Sequence, residues 1–272
     1  MNQSPDRIYY GWFIVAASVF ISMLGAGTLS GFGVFVIPMS SEFDWSRSSI
    51  SLAAASAALI GGCSQPFMGR IFDKIGGRKL ILIGLTVLAF SNILLSFTNH
   101  ILYMILVFGV LMSLGSSAGT MNTAGALAAK WFNRKRATAV SLISAGTSLG
   151  GLILVPFVAF MIPFIGWRST WFMLGCIILF FALPVAYLII KNDPADIGQL
   201  PDGHIDPPSK TLSQNQNAPP LAVNNWKDAF KSAPLWQLSG GYLVCGFTTT
   251  MMSTHYVPYA IEQGVSASTA AI

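Results

Sequence analysis

At 272 residues, with 53% hydrophobic and 9% charged residues and a mean hydropathy of +0.63, the chain is too apolar for a soluble globular domain, where about a quarter of residues are charged. Its net charge of +5 does not indicate nucleic-acid binding, because the charges lie in loops between apolar runs, where lipid headgroups and topology account for them. Cys63, Cys176 and Cys245 sit inside apolar segments without a CxxC pair, so no disulfide framework, metal site or cofactor is expected.

Seven runs are long enough to cross a bilayer: 11–38, 49–68, 80–99, 101–129, 137–163, 169–190 and 235–261. A spanning helix needs about 20 apolar residues at 1.5 Å each to cross a hydrocarbon core of about 30 Å. The first six runs contain no Asp, Glu, Lys, Arg or His. The first is too long for the apolar core of a signal peptide and ends without a small-x-small cleavage site, so it reads as a retained helix. The expected fold class is an all-α polytopic membrane protein.

Orientation follows from the basic residues. If the N-terminus is inside, thirteen of the fifteen Lys and Arg fall on the inner side, and only Arg47 and Arg168 fall outside. That asymmetry predicts a cytoplasmic N-terminus in a multi-pass protein of the plasma or inner membrane. The expected partners are the lipid bilayer and a small-molecule solute, with no nucleic acid; the oligomeric state is left open.

The segment between the second and third runs, Gly69-Arg-Ile-Phe-Asp73-Lys74-Ile-Gly76-Gly77-Arg78-Lys79, holds four of those basic residues. Here Gly69 predicts a close helix contact, and Gly76-Gly77 a sharp reversal. Asp73 is positioned to accept hydrogen bonds from Arg134 or Arg136, or to face the positive end of a helix. A contact present in only one arrangement of two halves would act as a cytoplasmic latch.

In the fourth run, Ser113, Ser116, Thr120 and Thr123 share a face, with Asn122 nearby. Ser141, Ser144 and Ser148 do the same in the fifth. In the seventh, Thr248, Met252, His255 and Tyr259 recur along one face beside Tyr256. Polar groups in lipid mark pathways, although a lone hydroxyl is more often bonded to its own helix. Asn122, Thr123, Ser144, His255, Tyr256 and Tyr259 are therefore the candidate pathway residues. Gly27/Gly31, Gly115/Gly119 and Gly146/Gly150 are GxxxG pairs, expected to form packing seams.

Three domains are expected: a six-helix half over 1–190, an inter-half cytoplasmic loop over 191–234, and helix seven with the start of a second half over 235–272. The loop is rich in Pro, Ser, Asn and Gln and reads mostly as a flexible tether, with Trp226 to Lys231 as a short interfacial helix. Offsetting the chain by 220 residues sets Pro38 on Pro258, Glu42 on Glu262, Ser46 on Ser266 and Ser48 on Ser268. Helix seven thus reads as helix one repeated, and about five further helices are expected beyond Ile272.

The spacing Gly69-xxx-Asp73-Lys74-x-Gly76-x-Arg78-Lys79 resembles the loop 2–3 signature of the major facilitator superfamily. The first helix, from Tyr9-Tyr-Gly-Trp12 to Trp45-Ser-Arg47, resembles the monocarboxylate and oxalate:formate branch. So do Lys130-Trp131-Phe132-Asn-Arg134-Lys-Arg136 and Asp193-Pro-Ala-Asp-Ile-Gly198-Gln-Leu-Pro201-Asp-Gly203. The resemblance implies a twelve-helix secondary carrier for a small mono- or dicarboxylate, working by alternating access as an antiporter or symporter. The chain departs from some relatives: it has no lysine in the first helix, no arginine in the fourth and no Gly-Pro in the fifth. A substrate-binding cation is therefore expected in further helices. The alternatives are a carrier of another organic solute and a non-transporting sensor or scaffold. An enzyme is not expected, since no nucleophile–base pair or phosphate-cradling loop is present.

Overall fold

The computed structural model describes residues 9–203 and 231–262, with side chains in the last helix described as far as Thr248. The chain forms two compact units, Met1–Pro208 and Ser209–Ile272. No strand occurs among the described residues.

The first unit is built from six spans that run alternately up and down. The first is Tyr10–Phe43, continuous past Pro38 and longer than the 11–38 run. Ser48–Ile75, Gly77–Leu95 and Ile101–Trp131 follow as the second, third and fourth. The fifth and sixth lie within Arg136–Ile189, two helices that meet at a tight turn rather than a long loop. They turn at Gly166, with φ 79° and ψ 161°, a left-handed conformation that suits a residue without Cβ.

Backbones approach closely where glycines face one another. A Cβ on Gly84 of the third span would lie 2.5 Å from Cα of Gly119 in the fourth, and one on Gly115 would lie 2.7 Å from the Leu88 nitrogen. Gly146 and Gly150 meet the first span, where a Cβ on Gly146 would reach the Val19 carbonyl at 2.6 Å and one on Gly150 the Gly27 nitrogen at 2.9 Å. Dispersion at such contacts holds helices together where lipid removes the hydrophobic drive. Gly31 is looser, with a Val158 methyl at 3.8 Å. Between the seams, Phe35 stacks on Trp171 at 4.0 Å, and both are fully buried.

The second unit contains the helix Ala233–Glu262. Five helices among the described residues are long and apolar enough to cross a membrane, and this one is not among them. Gln237, the Gly240-Gly241 pair and Thr248-Thr249-Thr250 lower its hydropathy. It holds the positions of His255, Tyr256 and Tyr259, whose side chains lie outside the described ones. The 226–230 segment and the partners of the 220-residue offset beyond Glu262 also lie outside.

Candidate functional site

The fourth span is where the one-face prediction fails. It starts as α-helix at Ile101–Met104, widens to π-helix over Ile105–Met112, and resumes as α-helix over Ser113–Gly119. At Thr120 it leaves helical geometry, with φ −120° and ψ −146°, and it restarts as Met121–Trp131. The methyl of Thr120 packs where Gly25 of the first span leaves room. The break divides the polar residues between two cavities, because a change of φ and ψ rotates every side chain that follows it.

The first cavity, about 280 Å³, lies among the first, second and fourth spans. Ser113, Ser116 and Ser117 line one side, Ala54, Ala57, Ala58 and Gly61 a second, and Leu29, Phe32 and Phe108 a third. Phe32 and Phe108 stack at 4.1 Å.

The second cavity, about 270 Å³, is lined by Asn122, Thr123 and Ala126 of the fourth span and by Gln65, Met68, Gly69, Phe72 and Asp73 of the second. The structure thus brings Asn122 and Thr123 together with Gly69 and Asp73 of the signature loop. Ser144 lies elsewhere, on the fifth span, where its hydroxyl donates to the Val140 carbonyl at 3.0 Å within its own helix.

The signature loop differs from expectation at two points. Gly69 is exposed, and a Cβ there would meet nothing within 4 Å, so it borders the cavity rather than a helix seam. Asp73 bonds neither Arg134 nor Arg136. A different carboxylate serves the loop after the fourth span: Asp202 Oδ2 accepts from the backbone N–H groups of Asn133 at 2.9 Å and Arg134 at 2.8 Å. Peptide N–H groups at a chain reversal need acceptors, and Asp202 meets that need while the arginine side chains stay exposed.

The reversal at Gly76 is as expected, with φ 84°, and the space a Cβ would need is taken by Asn192 at 2.9 Å. Asn192 Oδ1 accepts from the Arg78 backbone N–H at 2.8 Å, and Arg78 Nη2 donates to the Tyr187 carbonyl at 2.8 Å. Lys74 and Lys79 are exposed, and Arg136 opens the fifth span. Lys130 pairs with Asp193 at 3.5 Å. The stretch from Asn192 to Asp202 is therefore an ordered strap across the basic end, although it belongs to the region read as a tether.

Tyr9 completes that end by donating to the Trp131 carbonyl at 2.8 Å. Its pKa is pushed up to about 12, first by burial and then by the negative charge of Asp202.

At the opposite end, Arg168 Nη2 donates to Glu42 Oε1 at 2.9 Å and to Asn99 Oδ1 at 3.2 Å, and Nη1 to the Thr98 carbonyl at 3.0 Å. Trp167 Nε1 donates to Glu42 Oε2, and the guanidinium lies 4.3 Å from the Trp167 ring centroid. The sequence showed this cluster only as one of two outer cations.

With two cavities flanking a broken span and the charged groups gathered at the helix ends, the chain can be compared with known proteins. It matches the Major Facilitator Superfamily over residues 15–272. The chain belongs to this superfamily. It is 25% identical over 256 residues to the uncharacterized MFS-type transporter YcxA of Bacillus subtilis, covering 94% of this chain and 59% of YcxA. It is 24% identical over 269 residues to human monocarboxylate transporter 11, covering 97% of this chain and 52% of that protein. The crystal structure of a bacterial homologue of the human lysosomal transporter Spinster, inward-facing and unoccupied, superposes with a TM-score of 0.63 at 20% identity. That match covers 100% of this chain and 59% of the Spinster homologue, and it shows the fold alone. The chain therefore spans between half and three-fifths of the length of these relatives. As a superfamily member with several apolar spans, it is a multi-pass membrane protein, and its relatives are transporters rather than enzymes.

Proposed function

We propose that this chain serves a secondary active carrier that moves a small organic anion, a mono- or dicarboxylate, across the plasma or inner membrane by alternating access. The observation that carries the reading is the break at Thr120 with a cavity on each side. The eleven residues of Met121–Trp131 rise about 16 Å, roughly half the hydrocarbon core, so their positive N-terminal end sits at membrane depth. Broken helices in transporters point such ends at anionic groups. The likeness to a monocarboxylate transporter supports the same substrate class.

On this reading the basic end is cytoplasmic, as the distribution of Lys and Arg requires. The cavity holding Asp73, Asn122 and Thr123 is the inner part of the path, and Gly69–Lys79 with Arg134 and Arg136 borders its gate. His255, Tyr256 and Tyr259, which fall in the helix Ala233–Glu262, are the remaining candidate pathway residues from the sequence.

A rival reading, a carrier of another organic solute, is favoured by the lining of both cavities, which includes no Lys or Arg. Uptake of radiolabelled acetate, lactate and oxalate into proteoliposomes decides between them. Saturable uptake, lost in Asn122→Ala and Tyr259→Phe variants that express normally, is the expected result. Carboxylate uptake untouched by both substitutions would remove the pathway assignment, and no carboxylate uptake at all would remove the anion.

A further inference from the structure

We propose that the cavity lined by Phe32, Phe108, Ala57 and Ser116 seats the uncharged aliphatic end of the solute, with the Ser116 hydroxyl bonding a hydroxyl or keto oxygen next to that end. The proposal deepens the carrier reading above by assigning the part of the substrate that the charge of the anion does not specify.

The lining includes no charged side chain, so an ionised group placed there would lose its hydration without a partner. Its walls are the stacked Phe32 and Phe108 rings and the small residues Ala57 and Ala58 of the second span. A volume of about 280 Å³ accommodates on the order of nine non-hydrogen atoms, taking about 30 Å³ for each as for liquid water. That suits a short tail.

The serines set the chemistry. Ser117 Oγ donates to the Gly61 carbonyl at 3.4 Å and Ser113 Oγ to the Phe108 carbonyl at 3.5 Å, both long bonds. Ser116 is only 8% exposed and lines the cavity, yet its hydroxyl has no partner among the described residues. A hydroxyl that faces the cavity without a protein partner is free to donate to, or accept from, a solute oxygen arriving beside it. Gly61 widens the hollow, since a Cβ there would meet only the Ser117 hydroxyl at 3.9 Å.

The test is solute protection of a cysteine at the mouth of the cavity. Ala58→Cys is made with Cys63, Cys176 and Cys245 changed to Ser, and the protein its gene encodes is reconstituted in liposomes. The reaction rate with N-ethylmaleimide is then measured with acetate, butyrate, 2-hydroxybutyrate and 1-butanol. Butyrate and butanol should slow labelling about threefold or more, acetate should not, and 2-hydroxybutyrate should slow it most. Ser116→Ala should abolish only the advantage of the hydroxylated acid, and a control at exposed Leu152, Leu152→Cys, which does not line the cavity, should be unaffected. Labelling indifferent to every solute, or slowed equally by acetate, overturns the seat; so does a rate that tracks only the acyl-chain length of the liposomes. In parallel, Gly61→Val should shorten the longest carboxylate taken up, and an unchanged length profile counts against the seat. If no carboxylate is carried but butanol still protects, the anion reading fails and the seat stands.

Discussion

The two ends of the six-span unit are held by different means. At the basic end, Asn192 and Asp202 accept from main-chain N–H groups, and most of the cationic side chains are left exposed. At the opposite end, Arg168 spends its side chain on Glu42, Asn99 and the Thr98 carbonyl, joining three pieces of chain far apart in sequence. Charge is plentiful where it does little of the fastening and scarce where it does most of it. An abundance of basic residues therefore says which side of the membrane an end faces, whereas the carboxylates say what fastens it.

The largest effect is expected from Arg168→Ala, which removes three hydrogen bonds and two ring contacts together. The pair is partly exposed, which lowers the cost to about 2 kcal/mol. Thermal unfolding in detergent should show that loss, and a cycle with Glu42→Gln should show strong coupling; additive effects would mean the end is held by packing alone. Asp202→Ala should cost about 1 kcal/mol, since it frees two backbone donors that water can reach. If it cost more than Arg168→Ala, the contrast between the ends would be reversed.

The smallest effect concerns Tyr9 and appears only in alkali. Its folded pKa stands above the unfolded value of 10, so between those values the folded state holds a proton that the unfolded state has released. This contribution is complete below pH 10 and is lost as pH rises toward 12. Tyr9→Phe should flatten that part of the stability profile and leave neutral pH with only the loss of one hydrogen bond. An absorbance titration with no late-ionising tyrosine would contradict the assignment.

The spans of the first unit, the close approaches at glycines and the Gly76 reversal were legible in the sequence because each depends on local composition or on one residue's backbone freedom, whereas the seventh run falls short of a membrane-crossing helix. The fastenings were not. Asp202 and Asn192 act on turns more than sixty residues away, and a Pro- and Asp-containing stretch looks the same whether it is folded back or free. The break at Thr120 was hidden for another reason. Thr120 sits in an unbroken small-residue run with no proline, so helical periodicity continues through the sequence where the backbone does not. Asp73 makes no bond to Arg134 or Arg136 in this arrangement, since opposite charges in neighbouring loops form a pair only where the loops meet side chain to side chain.

The Gly166 turn bears on how the protein is made. A ribosome producing this chain delivers 54 residues, Arg136 to Ile189, with only a short connector at its middle. Only Gly166, Trp167 and Arg168 mark the point where the nascent chain must double back. So short a turn favours entry of the fifth and sixth spans as a hairpin, and a hydrophilic tag placed at residue 166 should lower insertion of both.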